Sequence, residues 1–476
     1  MTDLTALDRR SHRLALLVAA TFFMEYLDTT VVATALPQMA QSFHVGPNDL
    51  SMGMSAYMLA LAVFIPVSGW IADRFGTRTV FAGAIALFTI ASVLCGLSNS
   101  TGEFTAARLL QGLGGAMMVP VGRMIVVRNT DKSRLIQAIS TITWPAIMAP
   151  VIAPPLGGFI TDAASWRWIF LINVPLGLIA IACVFAMVRN ERDEAQRGLD
   201  LVGFLLSGGA LVCLMCGTEL ASRESGGTVV PLSLMAAAVI VGVGSYWHAA
   251  RHPHPLVDYA LLKVPTFSVT VVSGSLSRVG INAVPYLMPL LFQIVFGMSA
   301  FRSGLILLVS ALGNFGMKAL TTPSMKHLGF RLTCLLGVGG SAVFTIACGL
   351  LRPDTLIWIT LVVVFMYGAM RSLTFSTLAT LAYVDMDKPR MGAASTIWST
   401  AQQMTIGMGI AFGALSLRGA TLFNHGGGGP GHPHTLVEFR WAFFACGIVT
   451  LLSLPGFLRM ARDAGHAVGG GAGATR

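Results

Sequence analysis

The sequence predicts an all-α integral membrane protein whose chain crosses the bilayer fourteen times, and three observations predict it. Hydrophobic residues make up 54% of the 476 and charged ones only 11%, against roughly 25% charged in soluble domains. Apolar runs of 18 or more residues recur along the whole chain, and about 20 such residues let a helix cross a hydrocarbon core about 30 Å thick. No segment alternates apolar and polar residues at period two. That excludes a closed barrel, the other fold that satisfies its own backbone in lipid.

Taken in order, the runs fall near 14–36, 50–72, 79–97, 104–122, 135–161 and 168–188. The charged stretch RNERDEAQRGLD follows, then two runs near 201–220 and 228–249. Six more lie near 266–296, 301–322, 332–351, 355–384, 392–417 and 439–460. The grouping predicts an N-terminal six-helix bundle over 1–190, two additional helices with linkers over 191–264, a C-terminal six-helix bundle over 265–462 and a disordered tail over 463–476. That tail and the loop NHGGGGPGHPH at 424–434 are too Gly-rich to order themselves.

The net charge of +10 raises nucleic acid as a partner, but the basic residues are scattered through short loops instead of forming one stripe. Topology explains them. Twenty-one Lys and Arg fall in segments on the same side as the N-terminus, while Arg167, Arg223, Arg302, Arg352, Arg418 and Arg440 fall opposite. Cytoplasmic loops are the basic ones, so both termini are expected in the cytoplasm. No metal or cofactor is expected. Cys213 and Cys216 form an isolated CxxC inside an apolar run, and His425, His432 and His434 have no Cys or carboxylate beside them. GxxxxGK[ST], GxSxG and HExxH are all missing from the sequence, which leaves ATP-driven transport and common hydrolytic chemistry without support.

GWIADRFGTR, Gly69 to Arg78, closes the second span. Gly69 and Gly76 permit a tight turn, and Asp73, Arg74 and Arg78 can form a charged latch on helix ends and neighbouring carboxylates. Alone, the segment reads equally as a basic cytoplasmic loop. A degenerate counterpart, KHLGFR at Lys326 to Arg331, holds the equivalent place in the second set of six, which is the weak internal repeat expected of a transporter. The fifth span carries Pro145, Pro150, Pro154, Pro155, Gly157 and Gly158. Prolines remove donors and bend the rod, while glycines permit close packing, so a moving seal and a merely kinked helix are both consistent with it.

These segments carry a resemblance. GWIADRFGTR, RLLQGLGGA (Arg108 to Ala116) and PVIAPPLGG (Pro150 to Gly158) resemble the successive signature motifs of the major facilitator superfamily. LDTTVVATALP, SAYMLALAVFIPVSGW and WRWIFLINVPLG are similar to its fourteen-helix drug:proton antiporter branch (EmrB/QacA-like). The likeness covers nearly the whole chain and departs at Ala33, Ala153 and Gln402. It implies two six-helix bundles plus two additional helices in a bacterial inner membrane, with an antiporter motif at Pro150, Pro154, Gly157 and Gly158.

Six ionisable residues stand inside apolar runs: Glu25, Asp28, Arg108, Arg278, Lys318 and Arg371. Such residues are costly in lipid and usually functional. Glu25 and Asp28, three apart, share a helix face about 60° wide, an arrangement suited to reversible proton binding. The resemblance implies that Arg108 pairs with or tunes that acidic site, although a static ion pair is the competing account. Arg278, Asn282, Tyr286, Arg371, Trp398 and Gln402 are expected to line the substrate cavity, because polar groups in lipid need partners or water.

The resulting expectation is a proton-coupled secondary transporter that exports small amphipathic compounds or drugs, by rocking two bundles around a midplane site. Its partners are the substrate, protons and the lipid bilayer, with no nucleic acid. A single chain is the expected transport unit, and a periplasmic adaptor protein stays open. The rivals are a proton-coupled symporter importing a small nutrient and a non-transporting membrane sensor.

Overall fold

The computed structural model describes residues 6–461, apart from 131–134, 192–197, 223–228, 254, 387–389 and 426–434. The tail at 463–476, His432, His434 and most of the Gly-rich loop lie outside the described residues. Among those described there is no strand. The helices are α1 (Ala6–Phe43), α2 (Pro47–Phe75), α3 (Thr77–Leu97), α4 (Thr101–Arg128), α5 (Leu135–Ala163), α6 (Trp168–Leu171), α7 (Asn173–Met187), α8 (Leu201–Ser222), α9 (Val229–Arg251), α10 (Pro265–Leu290), α11 (Ala300–Gly349), α12 (Ile357–Val384), α13 (Met391–His425), α14 (Leu436–Leu452) and α15 (Leu454–Leu458).

Twelve helical stretches among the described residues are long and apolar enough to cross a membrane, against the fourteen expected. Two helices bear on the count. α11 is counted once, yet its 50 residues are interrupted by non-helical backbone at Gly329. α5, with 29 residues and four internal prolines, falls outside the count, although it runs as one continuous helix.

The internal repeat is visible in the backbone. Gly76 between α2 and α3 has φ 92°, and Gly329 inside α11 has φ 74°. Both lie in the left-handed region that only glycine enters without strain, and both sit in the corresponding motifs GWIADRFGTR and KHLGFR.

The surface is inverted relative to a soluble protein. Large apolar side chains such as Ile90, Leu97, Phe185, Ile240 and Trp358 face outward, while Asp28, Arg108, Gln111, Asn173 and Arg278 are buried. Polar groups inside and apolar ones outside suit a lipid solvent. α8 and α9 are the most outward-facing of the long helices.

Two ends of the bundle can be told apart, a near end where α1 begins and a far end where it finishes. Towards the far end one core cluster joins both halves, bringing Leu36, Met39, Phe104 and Phe170 together with Tyr286, Phe292, Tyr367 and Phe439. Towards the near end the core divides. Phe22, Phe81, Phe88 and Val121 form one cluster, and Phe267, Phe330, Leu378 and Trp398 form another, with no residue in common.

Candidate functional site

The first-half site is built around Asp28 of α1. Ser100 caps α4 by accepting from the Glu103 amide, which starts the helix at Thr101 and places Arg108 and Gln111, three apart, on one face. Close packing seats α4 on α2, since a Cβ on Gly112 would stand 2.5 Å from the Tyr57 carbonyl oxygen. Arg108 Nη1 donates to Asp28 Oδ2 at 2.6 Å and to Gln111 Oε1 at 2.5 Å. Gln111 Nε2 donates to Asp28 Oδ1 at 2.8 Å, and Asn173 Nδ2 donates to the same oxygen at 2.9 Å. Both amides also reach Ser92 Oγ. Tyr57 covers the other side of the arginine, its ring centroid 4.1 Å from the guanidinium carbon. Residues of five helices, separated by as many as 145 positions (Asp28 to Asn173), thus gather around one fully buried carboxylate.

Glu25, expected to act with Asp28, has different surroundings. It lies near Gly115 and the Tyr57 hydroxyl, and its buried Oε2 has no hydrogen-bond partner among the described residues. The two carboxylates therefore divide the work of their helix face: Asp28 holds the arginine, and Glu25 stands apart from it.

The latch segment is a second cluster. Asp73 Oδ1 accepts from Arg128 Nη2 at 2.8 Å, tying the end of α2 to the end of α4. Arg74 lies over the Trp70 ring, and Arg78 has a buried Nε without a partner among the described residues. A Cβ on Gly76 would collide with the Asn190 side chain, whereas Gly69 has open space beside it.

The Pro/Gly motif of α5 packs on two sides. A Cβ on Gly157 would stand 2.4 Å from Val31 Cγ2 of α1, and one on Gly158 would stand 2.5 Å from the Ala300 carbonyl oxygen of α11. From the opposite side, a Cβ on Gly304 would stand 2.3 Å from the Pro154 oxygen. Pro150 lies half-buried one turn before Pro154. Nearby, Asp162 bridges the halves by accepting from Gln38 Nε2 at 3.1 Å and from the Phe301 amide at 2.8 Å. Gln293 Nε2 donates to the Thr34 carbonyl at 3.0 Å. These contacts form a tight seam at the far end.

Of the expected cavity residues, Arg278 and Trp398 come together, with the guanidinium carbon 4.0 Å from the ring centroid. Asn282 lies one turn beyond Arg278 and is buried. Arg371 stands over Phe375 of its own helix, and Gln402 is half-buried on α13. Tyr286 does not belong with them. It is hydrogen-bonded to Ser51 of α2 and lies in the field of Glu219 and Asp49, at the far seam. Tertiary packing, which hydropathy cannot report, puts it there.

Sequence reasoning missed Gln111, Asn173, Ser92 and Tyr57, neutral partners of the acid and its arginine. Gln111 and Asn173 do lie inside the motifs RLLQGLGGA and WRWIFLINVPLG. It also missed Glu219, a buried carboxylate in α8 that accepts from Ser51 Oγ at 2.7 Å. The signal that could have found it is an acid inside the apolar run at 201–220.

A family model described as Major Facilitator Superfamily matches residues 18–411. The chain belongs to that superfamily. It is therefore a multi-pass membrane transporter with an all-helical major facilitator fold. Among its relatives, MdtD of Pectobacterium carotovorum subsp. carotovorum (strain PC1), a protein named for multidrug resistance, is 33% identical over 443 residues, covering 93% of this chain and 94% of that one. MdtD of Escherichia coli O6:H1, named likewise, is 33% identical over 445 residues, covering 93% of each chain. A D-xylose-proton symporter structure shares the fold with a TM-score of 0.69 at 16% identity, covering 95% of this chain and 99% of that one. An inward-facing, unoccupied bacterial homologue of the human lysosomal transporter Spinster does so with a TM-score of 0.67 at 14% identity, covering 96% and 97%.

Proposed function

We propose that this major facilitator protein is a proton-coupled exporter of small amphipathic compounds or drugs, in the fourteen-helix antiporter branch. The observation that carries it is the Asp28–Arg108 pair, fully buried and held by two neutral amides. A carboxylate so placed can exchange its arginine for a proton. Protonation removes the charge that holds Arg108 and loosens the junction of α1 with α4, while Glu25 supplies a second acidic oxygen on the same helix. The relatives' names support drug export.

Fourteen crossings are supported by length. Fifty residues of α11 would extend about 75 Å as one rod, more than twice a hydrocarbon core of about 30 Å. Broken at Gly329, they make two crossings, and α5 supplies the remaining one. The spans then group as two six-helix bundles with α8 and α9 between them in sequence. The basic loops put the near end, and both termini, in the cytoplasm of a bacterium whose inner membrane the chain crosses. One chain holding both bundles is the transport unit.

The far seam joins the halves and the near-end core divides, which corresponds to an inward-facing conformation. In this reading the Asp73–Arg128 latch governs the change of state, the α5 motif seals the far side, and the second-half polar residues face substrate.

Counterflow in proteoliposomes with an imposed pH gradient tests the proposal. An exporter moves substrate against the proton flow. Movement of both in one direction would establish the symporter, and no flux would establish the sensor.

A further inference from the structure

We infer that Arg278 is the anchor of an anion site in the second half, and that the exported compounds carry a carboxylate on an apolar body. The inference rests on the transporter reading above and narrows its substrate class.

Arg278 in α10 is 1% exposed. None of its three nitrogens has a hydrogen-bond partner among the described residues. A guanidinium carries five N–H donors and no acceptor, and burying such a group unpaired is costly. Arg108, the other fully buried arginine, shows what a structural solution looks like, with its carboxylate at 2.6 Å and an amide beside it. Among the described residues Arg278 has no such carboxylate.

What it has is an aromatic floor. The ring of Trp398 in α13 lies 4.0 Å from its guanidinium carbon, which partly offsets the buried charge without using an N–H group. A guanidinium stacked by its face keeps its fork of in-plane donors free, and that fork matches a carboxylate in bidentate geometry. One turn along α10, buried Asn282 also has an Nδ2 without a partner among the described residues. Arg371, the other basic group in the neighbouring span α12, likewise has an unpartnered Nε. All these unmet groups are donors, so the complementary ligand is an acceptor with negative charge. Trp398 and the apolar cluster around it, including Phe267 and Leu378, suit an apolar body attached to the acid. Arg278 itself is covered in this conformation.

Charge movement gives a consequence. A proton moving inward and an organic anion moving outward both carry positive charge inward, so a negative-inside potential alone should drive export. Export of a monovalent cation for one proton would be electroneutral.

The test uses two probes with the same apolar body, 4-phenylbutyrate and 4-phenylbutylammonium, with calorimetric binding to the purified full-length protein. The carboxylate should bind and the ammonium should not. Arg278→Gln should weaken phenylbutyrate at least ~10-fold and Arg278→Lys by less, because a point charge keeps the attraction and loses the fork. Asn282→Ala, which leaves the arginine in place, should weaken it by about 2–10-fold. It decides the matter if the Arg278 variants fail to fold. In proteoliposomes, a potassium-diffusion potential without a pH gradient should drive phenylbutyrate export. Preference for the ammonium, binding of neither probe, or unchanged phenylbutyrate affinity in the variants would overturn the anion site. Ammonium export driven by the proton gradient would leave the exporter intact while removing the anion. Phenylbutyrate flux indifferent to a protonophore would keep the anion and remove the coupling.

Discussion

Gly158→Ala adds one methyl group at the far seam, and its effect can be worked from distances. The new Cβ would stand 2.5 Å from the Ala300 oxygen and 2.7 Å from both the Ala300 carbonyl carbon and Phe301 Cα. Ordinary contact begins at 3.4 Å, so α5 and α11 must part by roughly 0.9 Å. All three atoms are backbone, and no side-chain rotation can relieve the clash. Overpacking of this kind costs about 1–3 kcal/mol, and here the cost falls mainly on the state in which the seam is closed. The ratio of far-open to far-closed molecules should then rise roughly 5–150-fold. Alkylation of Ser303→Cys, a buried position on the same stretch of α11, reads that ratio in a background without the native cysteines. Gly157→Ala is the control. It strikes Val31 Cγ2 and Thr34 Oγ1 within the first bundle, so it should lower overall stability without changing the ratio. An unchanged alkylation rate in a folded Gly158→Ala protein, or the same rise from Gly157→Ala, would refute the reasoning.

Asp73→Asn removes an exposed ion pair with Arg128 worth about 0–1 kcal/mol. It should slow conformational exchange while substrate affinity holds, as measured by stopped-flow transport beside equilibrium binding, and lost binding would place the loop in the site. Glu219→Ala leaves Ser51 without the acceptor it uses, at a cost of about 1–3 kcal/mol. Faster hydrogen exchange over residues 47–54 and 283–290 should report it, and unchanged exchange would show that α8 does not brace the seam. Asp200, just before α8, is pushed up by partial burial. Hydrogen bonds from the Gly203 amide, His248 and the Leu256 amide outweigh this and hold its carboxyl below the usual value. Because the folded value is the lower one, its contribution to joining α8 and α9 should be complete above about pH 4 and lost as pH falls below that. Thermal melts of Asp200→Asn and wild type should therefore converge in acid and separate at neutrality.

Hydropathy made the spans legible because lipid imposes one simple rule on every segment. The same rule made Asp28 and Arg108 legible, since charge in an apolar run stands out whatever surrounds it. Asn173 and Gln111 were not singled out, because a neutral amide is unremarkable until a carboxylate 145 or 83 residues away is placed beside it. Tyr286 was read as a cavity residue for the same reason: which helix it meets depends on how the bundles close, and only packing shows that it meets Ser51. Gly329 was readable as part of a repeat. The break it makes in the 50-residue α11 falls between the runs read at 301–322 and 332–351, whereas its positive φ is a backbone property that hydropathy does not report.

The central claim is that Asp28 exchanges Arg108 for a proton as substrate moves. Proton release on substrate binding, measured in weakly buffered detergent solution together with uphill efflux from proteoliposomes, tests it most directly when wild type and Asp28→Asn are compared. The expected result is that Asp28→Asn, folded and monodisperse, releases no proton and cannot concentrate substrate, yet still exchanges labelled for unlabelled substrate. An Asp28→Asn protein that releases as many protons as wild type and builds the same gradient would contradict it.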